Sequence, residues 1–400
     1  MSTNESKVGL RAEARVLLLC ARFAFEPADE RRVRQLIESG VDWDRLIGLA
    51  ERHGLVPVLS RRLSGLDPNP VPKSVFVRLW EMHGSRVKRS KAITTELVEL
   101  LRLFEANGIP AVPFKGPVLA FQLYGDIALR EYGDLDILVP AGDLPRARDL
   151  AEARGYVSDY PLRPRQERKP LTDTMHYSLT HRHRESGLML ELHWSTDCRV
   201  FALPGIDEAW WERRPIADFQ RTPIRSLTPE ELVYVICMHG TRHHWLGLGL
   251  LRDVAGTIGR HPGLEWRQVL DMAAGQGTLR ILLLSVELAR RLLDAPLPEE
   301  VLHRIAADPV VSAMAVGVVR HFGVTTDPAP STREKLAFEL AWFRFWPRWL
   351  GYVLGRSLLP NMADWTRWDL PPALSFLYYP LHMARMVSKH GMRPDRKFVN

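Results

Sequence analysis

Two aspartates separated by one residue, Asp134 and Asp136, lie in the run Gly-Asp-Leu-Asp-Ile-Leu-Val at residues 133–139. In a β-strand, residues i and i+2 point to the same side, so the two carboxylates would converge while the apolar residues enter the core. Two carboxylates on one face repel each other unless a cation lies between them. Mg²⁺ (or Mn²⁺) is the expected cation because it prefers hard oxygen ligands.

A lysine and a glycine, Lys115 and Gly116, follow a short apolar segment and precede these aspartates. Pro117 and the apolar run at 118–124 come next, a pattern typical of a helix that begins at the proline. Glycine lets the backbone approach an anion closely, and a helix N-terminus directs free N–H groups and a positive dipole end toward it. The spacing therefore predicts a phosphate site just before the metal site.

Together these motifs resemble the DNA polymerase β-type nucleotidyltransferase superfamily, and within it a family of uncharacterised bacterial nucleotidyltransferase-like proteins. The superfamily signature is a glycine-containing strand-to-helix turn, an Asp-x-Asp on the next strand and a third carboxylate on a later strand. In this chain, the matching residues over about residues 90–255 are Lys115-Gly116, Leu123-Tyr124, Arg130 and the Asp-x-Asp-x-Leu-Val run from Asp134. The resemblance implies that Glu191, in Leu-Glu-Leu-His-Trp, is the third carboxylate.

The resemblance implies an α+β fold, with a polymerase-β-like core of a small mixed sheet and helices between N- and C-terminal helical regions. It implies metal-dependent transfer of a nucleoside monophosphate, with AMP from ATP expected, to a hydroxyl of a small molecule, peptide or protein, with release of pyrophosphate. The carboxylates that would be catalytic and hold the metal are Asp134, Asp136 and Glu191. The residues that would bind the nucleotide include Lys115, Gly116 and Arg130.

The turn before the helix departs from the superfamily pattern. It often reads Gly-Ser, with the serine hydroxyl contributing to phosphate binding, whereas this chain has Gly116-Pro117. Because proline has neither a hydroxyl nor an N–H, phosphate affinity would rest on other backbone N–H groups, Lys115, Arg130 and the metal. Two alternatives to a transferase that acts on a small molecule, peptide or protein stay open. One is a catalytically inactive nucleotide- or partner-binding protein on the same fold, and the other is an RNA- or tRNA-modifying nucleotidyltransferase.

A histidine-rich segment, Cys-Met-His-Gly-Thr-Arg-His-His-Trp, spans residues 237–245, and Asp253 follows. The spacing predicts one helix on which His239 and His243 lie one turn apart with Asp253 near the same face. These side chains would line a wall of the cleft, and the two histidines would contact the nucleotide. A zinc site shared by the histidines is an alternative, as is hydrogen bonding among them inside a helical domain. His193 is interpreted as a core histidine or one that supports a ligand.

Composition is typical of an ordinary globular protein. Hydrophobic residues make up 46% of the chain and charged residues 25%, with a net charge of +7. The three cysteines, at positions 20, 198 and 237, are too far apart to indicate a disulfide framework or a zinc knuckle. The sequence contains no apolar run long enough to cross a bilayer and no signal sequence, so a cytoplasmic location is expected.

Three regions are expected along the chain. Residues 1–85 form an N-terminal helical region, 86–222 a nucleotidyltransferase-like α/β core, and 223–400 a C-terminal helical domain. Basic runs at 86–91 and 163–169 could contact nucleic acid, although a solvated helix face and a loop are simpler interpretations. Nucleic acid is therefore a possible partner for which no binding module is found.

The elements around the aspartates are predicted from periodicity. A long helix is expected from about Lys73 to Asn107, followed by a first strand at 109–114. Two β-rich runs at 175–180 and 188–192, joined by a polar turn, predict a hairpin. If this hairpin pairs beside the Asp-x-Asp strand, Glu191 arrives next to the two aspartates.

Overall fold

The computed structural model of the protein describes residues 10–67, 70–163, 166, 171, 174–323, 332–343 and 346–391. A five-stranded mixed sheet lies in the middle of the chain, with helices before and after it. The α+β fold class expected from the sequence is confirmed. Most of the basic run at 163–169 lies outside the described residues.

Five helices precede the sheet, and the fifth continues for 34 residues. They are α1 (Ala12–Ala21), α2 (Pro27–Glu38), α3 (Trp43–Arg52), α4 (Val56–Ser64) and α5 (Lys73–Ala106). The C-terminal half of α5 packs against the sheet through Leu97, Leu100 and Phe104. The long helix predicted from the sequence is therefore confirmed. The boundary expected after residue 85 falls inside it, and the division into three regions stays a prediction.

The five-stranded sheet has the order β1-β2-β5-β4-β3. Its strands are β1 (Val112–Pro113), β2 (Asp134–Leu138), β3 (Tyr156–Ser158), β4 (Ser178–His183) and β5 (Met189–His193). β4 and β5 form the predicted antiparallel hairpin, and β5 runs parallel to β2. β1 is shorter than expected because Pro110 and Pro113 have no N–H for the hydrogen-bond ladder. The β2–β5 register places Glu191 directly opposite Asp136.

The two faces of β2 have different neighbours. Leu135 and Ile137 lie in a buried cluster with side chains of α5 and of α7 (Leu144–Ala153). Leu138, on the face that carries the aspartates, belongs to a second cluster formed with helices from both ends of the chain. The aspartates therefore lie on the face of the sheet that packs against these N- and C-terminal helices. The helix α6 (Gly116–Tyr124) connects β1 to β2.

The remainder of the chain is mainly helical after a short helix, α8 (Glu208–Glu212), and a hairpin of β6 (Ile216–Phe219) and β7 (Thr222–Arg225). The helices are α9 (Pro229–Arg242), α10 (Leu248–Arg260), α11 (Trp266–Gln276), α12 (Leu279–Leu293), α13 (Glu299–Ala306), α14 (Pro309–Gly323), α15 (Thr332–Trp342), α16 (Trp346–Leu358), α17 (Met362–Arg367) and α18 (Tyr378–Gly391). A 3-10 helix, Pro372–Leu377, precedes α18. A capping box formed by Thr228 and Glu231 marks the start of α9.

The N- and C-terminal helices share one hydrophobic core. α1 packs against α10 and α12, and a single buried cluster includes side chains of α1 to α4 and of α9 to α14. Among the described helices, none is by itself long and apolar enough to cross a membrane. One pair, Glu299–Ala306 with Pro309–Val319, reaches that length and composition only together, across a bend of 92°.

The histidine-rich segment forms two helices, so the prediction of a single helix is wrong. α9 ends before His244, and α10, which carries Asp253, begins after a break. His244 and Trp245 have φ angles of +53° and +54°, which reverse the chain there. The Trp245 ring packs on Gly240, where a Cβ atom would lie only 2.2 Å from the ring. Helical spacing therefore cannot relate Asp253 to the histidines.

Candidate functional site

Asp136 lies at the centre of a buried charge cluster on β2. Its Oδ1 accepts a hydrogen bond from Lys115 Nζ at 2.8 Å and lies 3.1 Å from His193 Nε2. Only 5% of Asp136 is exposed. Burial alone would raise the pKa of this carboxyl, but the positive charges of Lys115 and His193 outweigh burial and hold the pKa below its usual range. Asp136 is therefore an ionised group in a low-dielectric setting.

Glu191 lies on β5 opposite Asp136, on the strand that the sequence predicted. His193 Nε2 is 3.2 Å from Glu191 Oε2, so the imidazole bridges the two carboxylates. Its Nδ1 lies 3.3 Å from the carbonyl oxygen of Ser195. Burial would lower the pKa of His193, but the contacts with Asp136 and Glu191 raise it. A protonated ring, which donates from both nitrogens, fits this arrangement.

Asp134 begins β2 and lies on the same face as Asp136. Burial raises its pKa, and the nearby charge of Asp136 raises it further. Three residues in the described ranges could hold a metal ion together: Asp136, Glu191 and His193. Each offers one ligand atom, and these atoms lie within 4.8 Å of one another. Asp134 is not a member of this set. Of the three predicted carboxylates, the structure therefore brings Asp136 and Glu191 together with His193, and it leaves Asp134 outside this group.

The turn between β1 and α6 places a helix N-terminus against the start of β2. Gly116, the first residue of α6, has a φ angle of +55°. A Cβ atom at this position would lie 3.2 Å from the carbonyl oxygen of Asp134. Both the left-handed backbone and the close approach require glycine. The N-terminus of α6 thus lies against the first residue of β2. The first-turn N–H groups of a helix have no partner within the helix, which is what the predicted phosphate site requires.

Arg130 forms an ion pair with Asp253 on α10. Its Nε donates to Asp253 Oδ2 at 2.8 Å, and Asp253 Oδ1 accepts from the Tyr124 hydroxyl at 3.0 Å. The ion-pair partner of Arg130 is therefore Asp253 and not Asp134. Arg130 still lowers the pKa of Asp134 through its charge, although burial and neighbouring carboxylates dominate. Nucleotide binding by Arg130 stays a prediction.

His239 and His243 lie side by side near the end of α9, with ring centroids 4.5 Å apart. Neither ring forms a hydrogen bond or ion pair with another residue in the described part of the chain. Burial, followed by the charge of Lys115, lowers the pKa of His239 well below its ordinary value. Burial, Arg242 and then Lys115 lower the pKa of His243. The two rings are thus neutral and lie near enough to Lys115 to sense its charge.

A model of a family described as an uncharacterised nucleotidyltransferase matches residues 39–294, more than half of the chain. The chain belongs to this family. The match includes β2, β5, α6 and α9, and so every residue of the site described above. No curated protein and no solved structure matches the chain. Family membership supports nucleotidyl transfer as the general class of activity, with a nucleoside triphosphate as the substrate that it suggests.

Two residues beside this cluster, Tyr177 and Arg242, were missed by sequence reasoning. The Tyr177 ring stacks on His193 with centroids 5.7 Å apart, and Phe114 meets the same imidazole edge-on at 5.1 Å. Arg242 Nη1 donates to the Tyr177 hydroxyl at 2.6 Å and to Asp197 Oδ1 at 2.9 Å. These contacts hold the imidazole of His193 in place. The one available signal for Tyr177 was its position in the predicted hairpin.

The ligand atoms of this candidate site fit a divalent cation. Asp136 and Glu191 offer the hard oxygen ligands that Mg²⁺ and Mn²⁺ prefer. The carbonyl oxygen of Ser195 lies near Nδ1 of His193 and therefore favours a proton on that nitrogen. When the ring is neutral, Nε2 then carries the lone pair, which is directed at the carboxylates and can bind a metal. His239 and His243 are not part of the metal-capable set found in the described residues, which gives the zinc alternative no third ligand.

Proposed function

We propose that the protein transfers a nucleoside monophosphate, AMP from ATP in the expected case, to a hydroxyl group of a small molecule, peptide or protein. The observation that carries this proposal is the pairing of Asp136 with Glu191 across β2 and β5, beside Lys115 and the N-terminus of α6. Metal-binding and phosphate-binding groups are then adjacent, as nucleotidyl transfer requires. Membership of the DNA polymerase β-type superfamily belongs to the same proposal.

Asp136, Glu191 and His193 would hold the divalent cation, with Asp134 contributing from the same strand face. The cation, Mg²⁺ or Mn²⁺, would stabilise the negative charge that develops on the phosphoryl oxygens. The backbone N–H groups of the first turn of α6 would bind phosphate oxygens. Lys115 would exchange its contact with Asp136 for a contact with the triphosphate, since a phosphate oxygen is also a charged acceptor.

The reaction would be an in-line displacement at the α-phosphorus. The acceptor oxygen forms a new bond to that phosphorus, and the bond from the phosphorus to the bridging oxygen of the β-phosphate breaks. Pyrophosphate leaves with the electron pair of the broken bond. Glu191 would accept the hydroxyl proton, because contact with His193 outweighs burial and lowers its pKa, which keeps it ionised. His239 and His243 would contact the nucleotide from α9.

A catalytically inactive nucleotide- or partner-binding protein is the second candidate. The observation that favours it is Pro117, which occupies the second position of α6 and supplies neither a hydroxyl nor an N–H to a phosphate. The intact set of Asp134, Asp136 and Glu191 favours the enzyme. The two candidates share the nucleotide site and differ in whether a bond in the nucleotide is broken.

Two measurements test the proposal on the full-length protein. Thermal shift with each nucleoside triphosphate, with and without Mg²⁺, reports binding, and a ligand at 100 times its Kd adds about 2.7 kcal/mol of stability. Transfer of an α-phosphate label, with release of pyrophosphate, reports catalysis with candidate hydroxyl acceptors. We expect a Mg²⁺-dependent shift that is largest with ATP, together with label transfer.

The matched variants separate the outcomes. Asp134→Asn should remove the Mg²⁺-dependent part of the shift, whereas Asp149→Asn, an exposed carboxylate on α7, should leave it unchanged. Mg²⁺-dependent binding without label transfer would support the inactive binder. An absence of any shift with every nucleotide, with and without Mg²⁺, would contradict the enzyme and an inactive nucleotide-binding protein, and would leave the partner-binding protein.

A further inference from the structure

A second charged site lies at the end of α6 remote from Gly116. The nine residues of α6, about 13 Å of helix, separate the two ends. At the far end, a cavity of about 260 Å³ opens between the N-terminal helices, α6 and α10. The polar side chains that line it are Arg61, Arg62, Tyr124, Arg252 and Arg260. No motif of the sequence pointed to this cavity.

The most buried of these arginines lacks a counter-ion. Arg252 is 5% exposed, and its Nε is buried without a hydrogen-bond partner in the described part of the chain. Its Nη1 donates to the carbonyl oxygen of Leu129 at 3.4 Å, and its guanidinium lies 3.8 Å from the centre of the Tyr124 ring. Burying a guanidinium without an anion carries a desolvation cost that these neutral contacts only partly offset.

The other arginines leave the positive charge of the cavity in excess. Arg62 donates to the carbonyl oxygen of Phe23 at 3.4 Å and, like Arg260, forms no ion pair with any carboxylate that the structure describes. Burial lowers the pKa of Arg62, and the charge of Arg252 lowers it further. Arg61 is the exception, because it lies 3.5 Å from Asp126 in an exposed pair.

Two further carboxylates near these arginines, Asp253 and Asp29, already have partners. Asp253, the neighbour of Arg252 on α10, accepts from Arg130 and from the Tyr124 hydroxyl. Asp29, whose charge reaches Arg62, pairs with Arg22. A ligand with more than one negative charge would therefore supply what the described chain does not.

We propose that this cavity binds a phosphate group, either free phosphate or the phosphorylated end of a small molecule. Arginine matches the geometry of phosphate with two parallel N–H donors, and several arginines together suit a dianion. Drug-sized ligands occupy pockets of roughly 300 to 1,000 Å³, so a cavity of about 260 Å³ suits a smaller occupant. The inference is independent of the proposed nucleotidyl transfer, because none of the carboxylates on β2 and β5 lines this cavity.

Titration calorimetry on the full-length protein in Mg²⁺-free buffer tests the inference, with inorganic phosphate and glycerol 3-phosphate as probes. We expect Arg260→Gln and Arg62→Gln each to weaken binding roughly tenfold, because each removes a charge-assisted hydrogen bond. Arg260 is exposed and unpaired within the described residues, so its variant does not threaten folding. Arg267→Gln, an exposed arginine on α11, is the control of equal charge change and should bind as the native protein does.

The same titrations identify the site and the ligand class. Lys115→Gln separates this cavity from the nucleotide site. Phosphate binding that is lost with Lys115→Gln but retained with Arg62→Gln and Arg260→Gln would overturn the inference. Equal weakening of phosphate binding by Arg62→Gln, Arg260→Gln and Arg267→Gln would indicate a general charge effect and would also overturn the inference. Tighter binding of malonate than of phosphate would overturn it as well. Tighter binding of glycerol 3-phosphate than of inorganic phosphate would support the inference and identify the occupant as a phosphomonoester. Tighter binding of inorganic phosphate would support the inference with free phosphate as the occupant.

Discussion

The two ends of α6 balance their charges in different ways. At the N-terminal end, the carboxylate of Asp136 contacts two internal cations, Lys115 and His193. At the C-terminal end, Arg252 is equally buried, but its polar and cation–π contacts within the described residues are with a carbonyl oxygen and an aromatic ring. The first end is neutralised by its own side chains, and the second is not.

This difference changes what a ligand must do at each end. A divalent cation at the N-terminal end competes with the Lys115 ammonium and the protonated His193 for the same carboxylate oxygens. An anion at the C-terminal end competes with no carboxylate on Arg252, and it relieves a desolvation cost that is already present. We therefore expect the removal of one charge to destabilise the protein at the first end and to change its stability little at the second.

The largest effect should come from Asp136→Asn. This change leaves the buried Lys115 without its ion-pair partner and leaves His193 with Glu191 alone. Breaking a buried pair in this way costs about 3–5 kcal/mol of folding free energy. Arg62→Gln removes a charge at the other end, where no carboxylate is left unpaired, and should change the free energy of unfolding by about 1 kcal/mol or less. Chemical denaturation in metal-free buffer measures both values.

The control for this comparison is Asp149→Asn, an exposed surface change with an expected effect within about 0.5 kcal/mol. If Arg62→Gln lowered the free energy of unfolding more than Asp136→Asn, the buried charge at the C-terminal end of α6 would be the one that depends on its own side-chain partners. The interpretation of the N-terminal end as self-neutralised would then be abandoned.

The parts of the fold that were predicted correctly depend on local pattern. Alternation along β2 places Asp134 and Asp136 on one face, and the capping residues at Thr228 mark the start of α9. The long helix and the β4–β5 hairpin likewise follow from short-range periodicity and turn residues. The position of Glu191 beside the aspartates needed the family resemblance in addition to the predicted hairpin, because pairing with β2 joins segments distant in the sequence.

The parts that were not predicted depend on long-range contacts. His193 reaches Asp136 only because β5 pairs with β2 in one particular register, which no local pattern specifies. The break after α9 depends on the contact between Trp245 and Gly240, which helical periodicity cannot reveal. The arginines of the cavity come from α4 and α10, so no sequence window contains the cluster.

A smaller effect should distinguish two roles for His193. If its neutral imidazole is a metal ligand, His193→Gln should weaken Mn²⁺ binding about 10- to 100-fold, the range seen when groups around a metal site are changed. Mn²⁺ titration without nucleotide, followed by electron paramagnetic resonance, measures this affinity apart from catalysis. His303→Gln, an exposed histidine on α13, is the control.

The opposite result carries equal information. If His193 serves only as an internal cation that competes with the metal, its replacement by neutral glutamine should strengthen Mn²⁺ binding. Tighter binding by His193→Gln would therefore remove His193 from the ligand set and leave Asp136 and Glu191, with Asp134, as the cation site.

The smallest effect is expected from His243→Ala on α9. Its ring has no hydrogen bond or ion pair in the described part of the chain, so no partner would be left unsatisfied and stability should change by about 0.5 kcal/mol or less. If the ring contacts the nucleotide, loss of one hydrogen bond should weaken nucleotide binding by about 2- to 10-fold. His243→Asn, which keeps an acceptor and a donor, should recover part of that loss. Melting temperature and nucleotide affinity, measured on the same preparations, decide the role of His243. A large loss of stability with normal nucleotide binding by the folded fraction would show that His243 is a packing residue. Weaker nucleotide binding at unchanged stability would place His243 in the wall of the nucleotide site.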